Sequence, residues 1–181
     1  EVGSDGKLGG QAEVKGVEAQ MDWLATDAFP LGVAFAYYDS QLKEHYCDFD
    51  AAGNCVNVKA PSGTELPVTP NFKGNLIARY SFQLLDRFEA YTQGALTYQG
   101  SASSQLDVAD NAIYGDIPSS SYLNLAFGVE SERYTIELYS SNVTNEDAPF
   151  GVTSECTPQV CGVQTVGVKA RPRTIGIRFS Q

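Results

Sequence analysis

An all-β chain is predicted, an antiparallel meander of about seven long strands. Three observations carry this. Nearly every ordered-looking stretch alternates apolar and polar residues with period two rather than 3.6. The alternating stretches run to ~10 residues or more, against ~5–6 for a typical globular strand. The connections between them are alternately short and long.

From Gly16 to Ala25, Val17, Ala19, Met21 and Trp23 alternate with Glu18, Gln20 and Asp22. A helix would mix these two sets, and a strand puts them on opposite faces. Gly32 to Lys43 sets Val33, Phe35 and Tyr37 on one face. Asn71 to Gln83 sets Leu76, Ala78, Tyr80 and Phe82 against Asn75, Arg79 and Ser81. Phe88 to Gly100 alternates less cleanly, with Phe88, Ala90, Leu96 and Tyr98 opposite Glu89, Gln93, Thr97 and Gln99. Tyr122 to Glu130 sets Leu123, Leu125, Phe127 and Val129 against Asn124, Gly128 and Glu130. Tyr134 to Ser141 sets Tyr134, Ile136 and Leu138 against Thr135, Glu137 and Ser141. The last stretch sets Ile175, Ile177 and Phe179 against Gly176, Arg178 and Ser180.

The short connections are Thr26 to Leu31, Leu84 to Arg87 and Ser131 to Arg133. The long ones are Glu44 to Pro70, Ser101 to Ser121 and Asn142 to Ala170. Loops beyond ~12–15 residues are uncommon in compact domains and usually functional. Here all three fall at the same end of one sheet.

Composition excludes several function classes. The 181 residues hold 12 Lys plus Arg against 22 Asp plus Glu, a formal net charge of −10, so a nucleic-acid surface is a poor fit. The single histidine, His45, removes zinc sites built on two histidines and the H-E-x-x-H pattern. A Ser-His-Asp arrangement would have to use that loop residue, and a solvated role is the simpler reading. No G-x-G-x-x-G and no G-x-x-x-x-G-K-[ST] occurs. The sequence therefore points to no enzyme, no cofactor and no metal.

Period-two alternation fits either a soluble β-sandwich, with its apolar face turned inward, or a sheet closed into a membrane barrel. Strand length favours the barrel, because crossing a bilayer takes ~9–11 residues. The charges on the polar faces, Glu18, Asp22, Arg79, Glu89, Glu137 and Arg178, suit a wet lumen. Aromatics gather near the short turns (Trp23, Phe29, Tyr80, Phe82, Phe88, Tyr134, Phe179), with a second group, Tyr37, Tyr38 and Tyr98, towards the long loops. Two such belts match the two interfaces of a bilayer. Strands cross hydrocarbon only as closed barrels, since each unpaired backbone group there is costly. Single-chain bacterial barrels have even strand numbers, so seven strands imply earlier ones upstream. The N-terminal stretch Glu1 to Gly6, with no apolar run, agrees with that expectation.

The cysteines form two local pairs, Cys47 with Cys55 and Cys156 with Cys161, both in loops. Local disulfides in an oxidising compartment are the simplest pairing. A four-thiolate metal site is the alternative, although neither pair has C-x2-C spacing. Asp107-Val108-Ala109-Asp110-Asn111 lacks the Gly and distal Glu of a calcium loop. Asn142-Val143-Thr144 matches a glycosylation sequon but also reads as a strand end. The loop carboxylates, among them Asp48, Asp50, Glu65, Asp107, Asp110, Asp116, Glu146, Asp147 and Glu155, serve solubility on one reading. On another they capture cationic ligands or divalent ions.

Four motifs in order resemble the TonB-dependent outer-membrane receptors. Lys15-Gly16-Val17-Glu18 resembles their "KGVE" strand opening, and Leu66 to Lys73 (LPVTPNFK) resembles an "LP-x-x-PN" opening. Tyr134 to Asn145 resembles the strand that ends in "N-L-T/F-N/D", and Arg171 to Phe179 resembles the closing "RPRTIGIRF" strand. The resemblance implies that residues 1–181 are the C-terminal segment of a 22-stranded transmembrane β-barrel, whose plug domain and earlier strands lie outside this sequence. It implies TonB-energised uptake of a scarce nutrient, such as siderophore-bound iron, cobalamin or an oligosaccharide. The implied partners are outer-membrane lipid, the chain's own N-terminal plug, the TonB complex and that ligand. Glu18, Asp22, Arg79, Glu137 and Arg178 would then face the lumen and the plug. A passive porin-like barrel and a secreted β-sandwich binding module are the rival expectations.

Overall fold

The structure is a computed structural model and describes residues 10–153, 160 and 164–181. In chain order its elements are β1 (Ala12–Thr26), β2 (Phe29–Leu42), β3 (Tyr46–Phe49), β4 (Cys55–Ala60), β5 (Phe72–Leu85), β6 (Phe88–Gln99), β7 (Ala102–Ser103), α1 (Val108–Tyr114), β8 (Asp116–Ile117), β9 (Ser120–Glu130), β10 (Thr135–Ser141), β11 (Pro149–Thr153), β12 (Val166–Lys169) and β13 (Thr174–Ser180).

The long strands form one seven-stranded sheet in the order β1-β2-β5-β6-β9-β10-β13, every neighbour antiparallel. This is the predicted meander. The structured strands reach further than the alternation marked. β1 begins at Ala12, and β2 begins at Phe29 and absorbs Pro30 and Leu31 from the short connection Thr26 to Leu31. Register shifts at Leu24/Thr26 and Gln83/Leu85 tighten the sheet beside two of the short turns, as bulges at sheet ends do.

Cross-strand register merges the seven apolar stripes into a single face. Met21 pairs with Val33 and Val33 with Leu76; Leu76 pairs with Leu96 and Leu96 with Leu123. Phe127 pairs with Leu138 and Leu138 with Ile177. Among the described residues no second layer covers this face, and Trp23, Leu138 and Ile177 are 55%, 51% and 74% exposed. A sandwich would have buried them. Among the described residues no helix is long and apolar enough to cross a membrane, which says nothing of strands.

Aromatic rings mark both ends of the apolar face. At the short turns Phe29 meets Tyr80 at 6.4 Å, Tyr80 meets Phe82 at 5.9 Å and Tyr134 meets Phe179 at 5.6 Å. Towards the long loops Phe35, Phe72 and Tyr98 form a second row, with centroids 6.5 and 6.0 Å apart. Tyr38 does not belong to that row. It pairs with Gly16 on the polar face, because adjacent residues of a strand point to opposite sides.

The long connections carry structure of their own. The ribbons β3–β4, β7–β8 and β11–β12 are separate two-stranded sheets, one within each. Helix α1 also lies there, capped by Asp107, whose carboxylate accepts from the amides of Ala109 and Asp110. The small buried set, including Leu42, Ala60, Ala102, Ile117 and Ala148, sits largely at this end.

Candidate functional site

The polar face of the sheet is the first place where charged side chains converge. Register sets Arg79 of β5 beside Gln93 of β6, Tyr91 opposite Gly128 of β9, Glu137 of β10 opposite Gly128, and Arg178 of β13 opposite Glu137. Period two therefore delivers these residues from five strands to one surface. Arg79 bonds Glu130 at 2.9 Å and lays its guanidinium 3.6 Å over the Tyr91 ring. The Tyr91 hydroxyl donates to Glu137 Oε2 at 2.6 Å. Arg178 reaches the other oxygen of Glu137 at 2.6 Å and lies 5.1 Å over the Tyr139 ring. Glu137, only 15% exposed, thus accepts on both oxygens, which is what a largely desolvated carboxylate requires.

Two glycines make room for this arrangement. A Cβ on Gly128 would stand 2.2 Å from the Tyr91 ring, and one on Gly176 would stand 2.6 Å from the Tyr139 hydroxyl. Both tyrosines therefore lie flat across the neighbouring strand, the aromatic-over-glycine pairing that pins register. Gly16 and Tyr38 repeat the pairing between β1 and β2, and there the Tyr38 hydroxyl donates to Glu18.

Glu18, Asp22, Arg79, Glu137 and Arg178 all lie on this polar face, and the structure connects some of them. Glu137 and Arg178 pair directly, and Arg79 joins them through Tyr91. Glu18 stays with Tyr38, and among the described residues Asp22 accepts only from Gln20, at 3.2 Å. Asp22 and Arg79 border one shallow groove with Gly32, Ile77 and Gln93, but no ion pair joins them. Sequence reasoning did not single out Tyr91, Tyr139, Glu130 or the space left by Gly128 and Gly176. Their signal is cross-strand register, which becomes visible only once each short turn is fixed.

The second region is the long-loop end. Cys47 and Cys55 are joined by a disulfide with Cα atoms 5.5 Å apart, clasping the β3–β4 hairpin. Cys156, Cys161 and Glu155 lie outside the described residues. Inside the hairpin turn Asp50 accepts from the Asn54 side chain at 3.0 Å, the Asn54 amide at 2.7 Å and the Ala52 amide at 2.9 Å. These bonds hold its carboxyl below the usual range, with the Asn54 side chain contributing most. Asp48 is lowered by Asn57 and then Lys59, whose ammonium is raised in turn by Asp48. Phe49, Val56 and Val58 stand exposed on the same hairpin.

The other two long connections are tied together. The Tyr122 hydroxyl donates to the Ala148 carbonyl at 3.2 Å, its ring meets Phe150 at 5.3 Å, and Gln105 Nε2 donates to the Val152 carbonyl at 3.3 Å. Asn111 holds the α1 loop by accepting from Ser104 and Gln105 while donating to Asp116. Asn142 does the same after β10. Its φ is 51°, it is 5% exposed, and its side chain donates to the carbonyls of Glu146 and Arg171 and accepts from the Glu146 amide. The sequon asparagine is therefore a buried hub rather than a glycan acceptor. His45 Nδ1 accepts from the Ser62 amide at 3.0 Å, a loop-bracing bond. Among the described residues no group of three His, Cys, Asp or Glu could hold a metal ion.

The family described as "TonB dependent receptor-like, beta-barrel" matches residues 5–145. No curated protein sequence matches the chain. Among solved structures, the siderophore receptor PiuA from Acinetobacter baumannii superposes with a TM-score of 0.70 at 14% identity over 94% of this chain. The ferric yersiniabactin uptake receptor FyuA from Yersinia pestis gives 0.71 at 14% identity over 94%. The ferric-catecholate import receptor Fiu from K12 E. coli gives 0.66 at 18% identity over 99%. The chain spans 22%, 23% and 22% of those three proteins.

Proposed function

This chain belongs to the family of TonB-dependent receptor β-barrels, and from that premise we propose that it forms part of the wall and mouth of an outer-membrane active-transport receptor. The observation that carries the reading is the single apolar face running unbroken over seven strands, uncovered by the rest of the described chain and bounded by two aromatic rows. Lipid is the solvent such a face suits. The edges of β1 and β13 would pair with further barrel strands, since an open edge in hydrocarbon is not tolerated.

In this reading the polar face lines the lumen, and Glu18, Asp22, Arg79, Glu137 and Arg178 face an N-terminal plug. The long loops form part of the ligand-capturing mouth, with Phe49, Val56 and Val58 of the clasped hairpin offering apolar contact to a bulky ligand. The names of the structurally similar proteins, all receptors for siderophores or ferric chelates, favour siderophore-bound iron over cobalamin or an oligosaccharide. The plug yields to force transmitted through TonB, and the ligand passes.

The test is uptake of a radiolabelled ferric siderophore by cells lacking the gene and by complemented cells. Uptake restored by complementation and abolished by a protonophore is expected. Uptake indifferent to the protonophore would assign the passive porin-like alternative. Recovery of the protein in the soluble periplasmic fraction would overturn the membrane reading.

A further inference from the structure

At the short-turn end the apolar face holds a groove of about 300 Å³, lined by Phe88, Val129, Ser131, Tyr134, Ile136 and Phe179. The stacked rings of Tyr134 and Phe179 form one wall. Two turns border it. Arg87 immediately precedes Phe88, and Glu132-Arg133 sits between Ser131 and Tyr134. Register pairs Glu89 with Glu130, so the two turns stand side by side.

Both turns are held in shape. Gln83 Nε2 donates to the carbonyls of Leu85 and Phe88 at 2.5 and 3.0 Å. The Ser131 amide donates to the Tyr134 carbonyl at 2.8 Å, and the Ser131 hydroxyl accepts from the Tyr134 amide at 3.2 Å. Each turn thereby presents one acid and one base, Asp86 with Arg87 and Glu132 with Arg133. All four are exposed, and among the described residues none forms an ion pair. The remaining short turn, Asp27-Ala28, carries no cation.

We infer that this corner of the wall binds a zwitterionic phospholipid with a primary ammonium head group. Its acyl chain lies in the groove, its phosphate on Arg87 and Arg133, and its ammonium on Asp86 and Glu132. A guanidinium fork matches phosphate oxygens, and an ammonium offers three N–H donors to carboxylates. A glycerol head group leaves the two carboxylates without a cation, and a choline head group has no N–H to donate. This site rests on the membrane reading of the apolar face.

The test uses the full-length receptor in nanodiscs of equal phosphatidylethanolamine, phosphatidylglycerol and phosphatidylcholine with matched acyl chains, read by native mass spectrometry under rising collisional activation. Phosphatidylethanolamine is expected to persist where the other two have been stripped. R87A/R133A should cut its retention about tenfold, the loss of charge-assisted contacts. D86N/E132Q should remove the preference over phosphatidylglycerol, and Asp27→Ala should change neither. Retention by R87A/R133A equal to wild type, or equal retention of all three lipids, would overturn the site alone. A receptor that stays monodisperse without detergent and never enters the discs would overturn the membrane reading as well.

Discussion

The polar face of the seven-stranded sheet (the wall, for short) and the clasped hairpin both stay ordered without an apolar core, and they do so by opposite means. On the wall, Arg79, Glu130, Tyr91, Glu137, Arg178 and Tyr139 link side chains from five strands already joined by backbone ladders. In the hairpin, β3 and β4 are short, an isolated pair of strands is marginal in water, and one covalent bond plus two carboxylates, Asp48 and Asp50, supply the order. A shared network spreads any disturbance along the sheet, whereas a clasp confines it. The contrast holds within the wall too: on the polar faces of β1 and β2 the described side chains bond in pairs, Tyr38 with Glu18 and Gln20 with Asp22.

The sharpest way to break the wall is to fill the space under Tyr91. Gly128→Val places carbon where the ring lies, and the ring cannot yield without releasing both Arg79 and Glu137. Overpacking plus the lost charge-assisted bond should cost about 2–4 kcal/mol. The measurement is the urea midpoint of the full-length receptor refolded in detergent. An unchanged midpoint would mean the tyrosine is not held by its partners. The hairpin gives the opposite signature. Replacing Cys47 and Cys55 with Ser reopens a short loop, worth about 2–3 kcal/mol of local order in the chain-entropy picture. Amide exchange should quicken across β3 and β4 and leave β5 and β6 untouched; quickening in β5 would show that the two regions are not independent.

Glu137→Ala sharpens the comparison inside the wall. It strands the Tyr91 hydroxyl and removes the ion partner of Arg178, at about 1–3 kcal/mol. Glu18→Ala removes a carboxylate from an exposed pair, and its midpoint should match wild type. Equal losses in the two variants would erase the distinction between network and pair.

The alternation of apolar and polar residues made the two faces legible, because period two is a local property that each strand carries by itself. Leu76, Leu96 and Leu125 needed no partner to be assigned. What needed partners was missed. Tyr91 meets Gly128 only through the pairing of β6 with β9, which depends on how the chain turns before and after both. Tyr38 groups with Tyr37 by its place towards the long loops, although consecutive strand residues cannot share a face. In the loops, Asp107 carries a helix-capping signal that neither the loop-carboxylate reading nor the comparison with a calcium loop uses. Cys47 and Cys55 were legible as a pair because they are close in sequence, so little chain has to be ordered to bring them together.

Acid should separate the two regions by the smallest effect. Asp50 is held below the usual carboxylate value of 3.8, first by the Asn54 side chain and then by backbone amides. A carboxyl whose folded value is depressed stabilises its fold fully above the ordinary value and loses that contribution as pH falls through the folded one. Protection of the hairpin amides should therefore be flat from neutral pH down to about 4 and decline below it. Asp48, lowered by Asn57 and Lys59, titrates with the same sign, so the two add within the hairpin. Asp50→Asn keeps the shape of the acceptor but loses the charge, and should flatten the acid limb while the disulfide still holds the strands together. The wall reports whether this is local. If β6 and β9 amides lose protection in step with the hairpin, and the Asp50→Asn variant does not uncouple them, the hairpin and the wall form one cooperative unit and the separation between clasp and network fails.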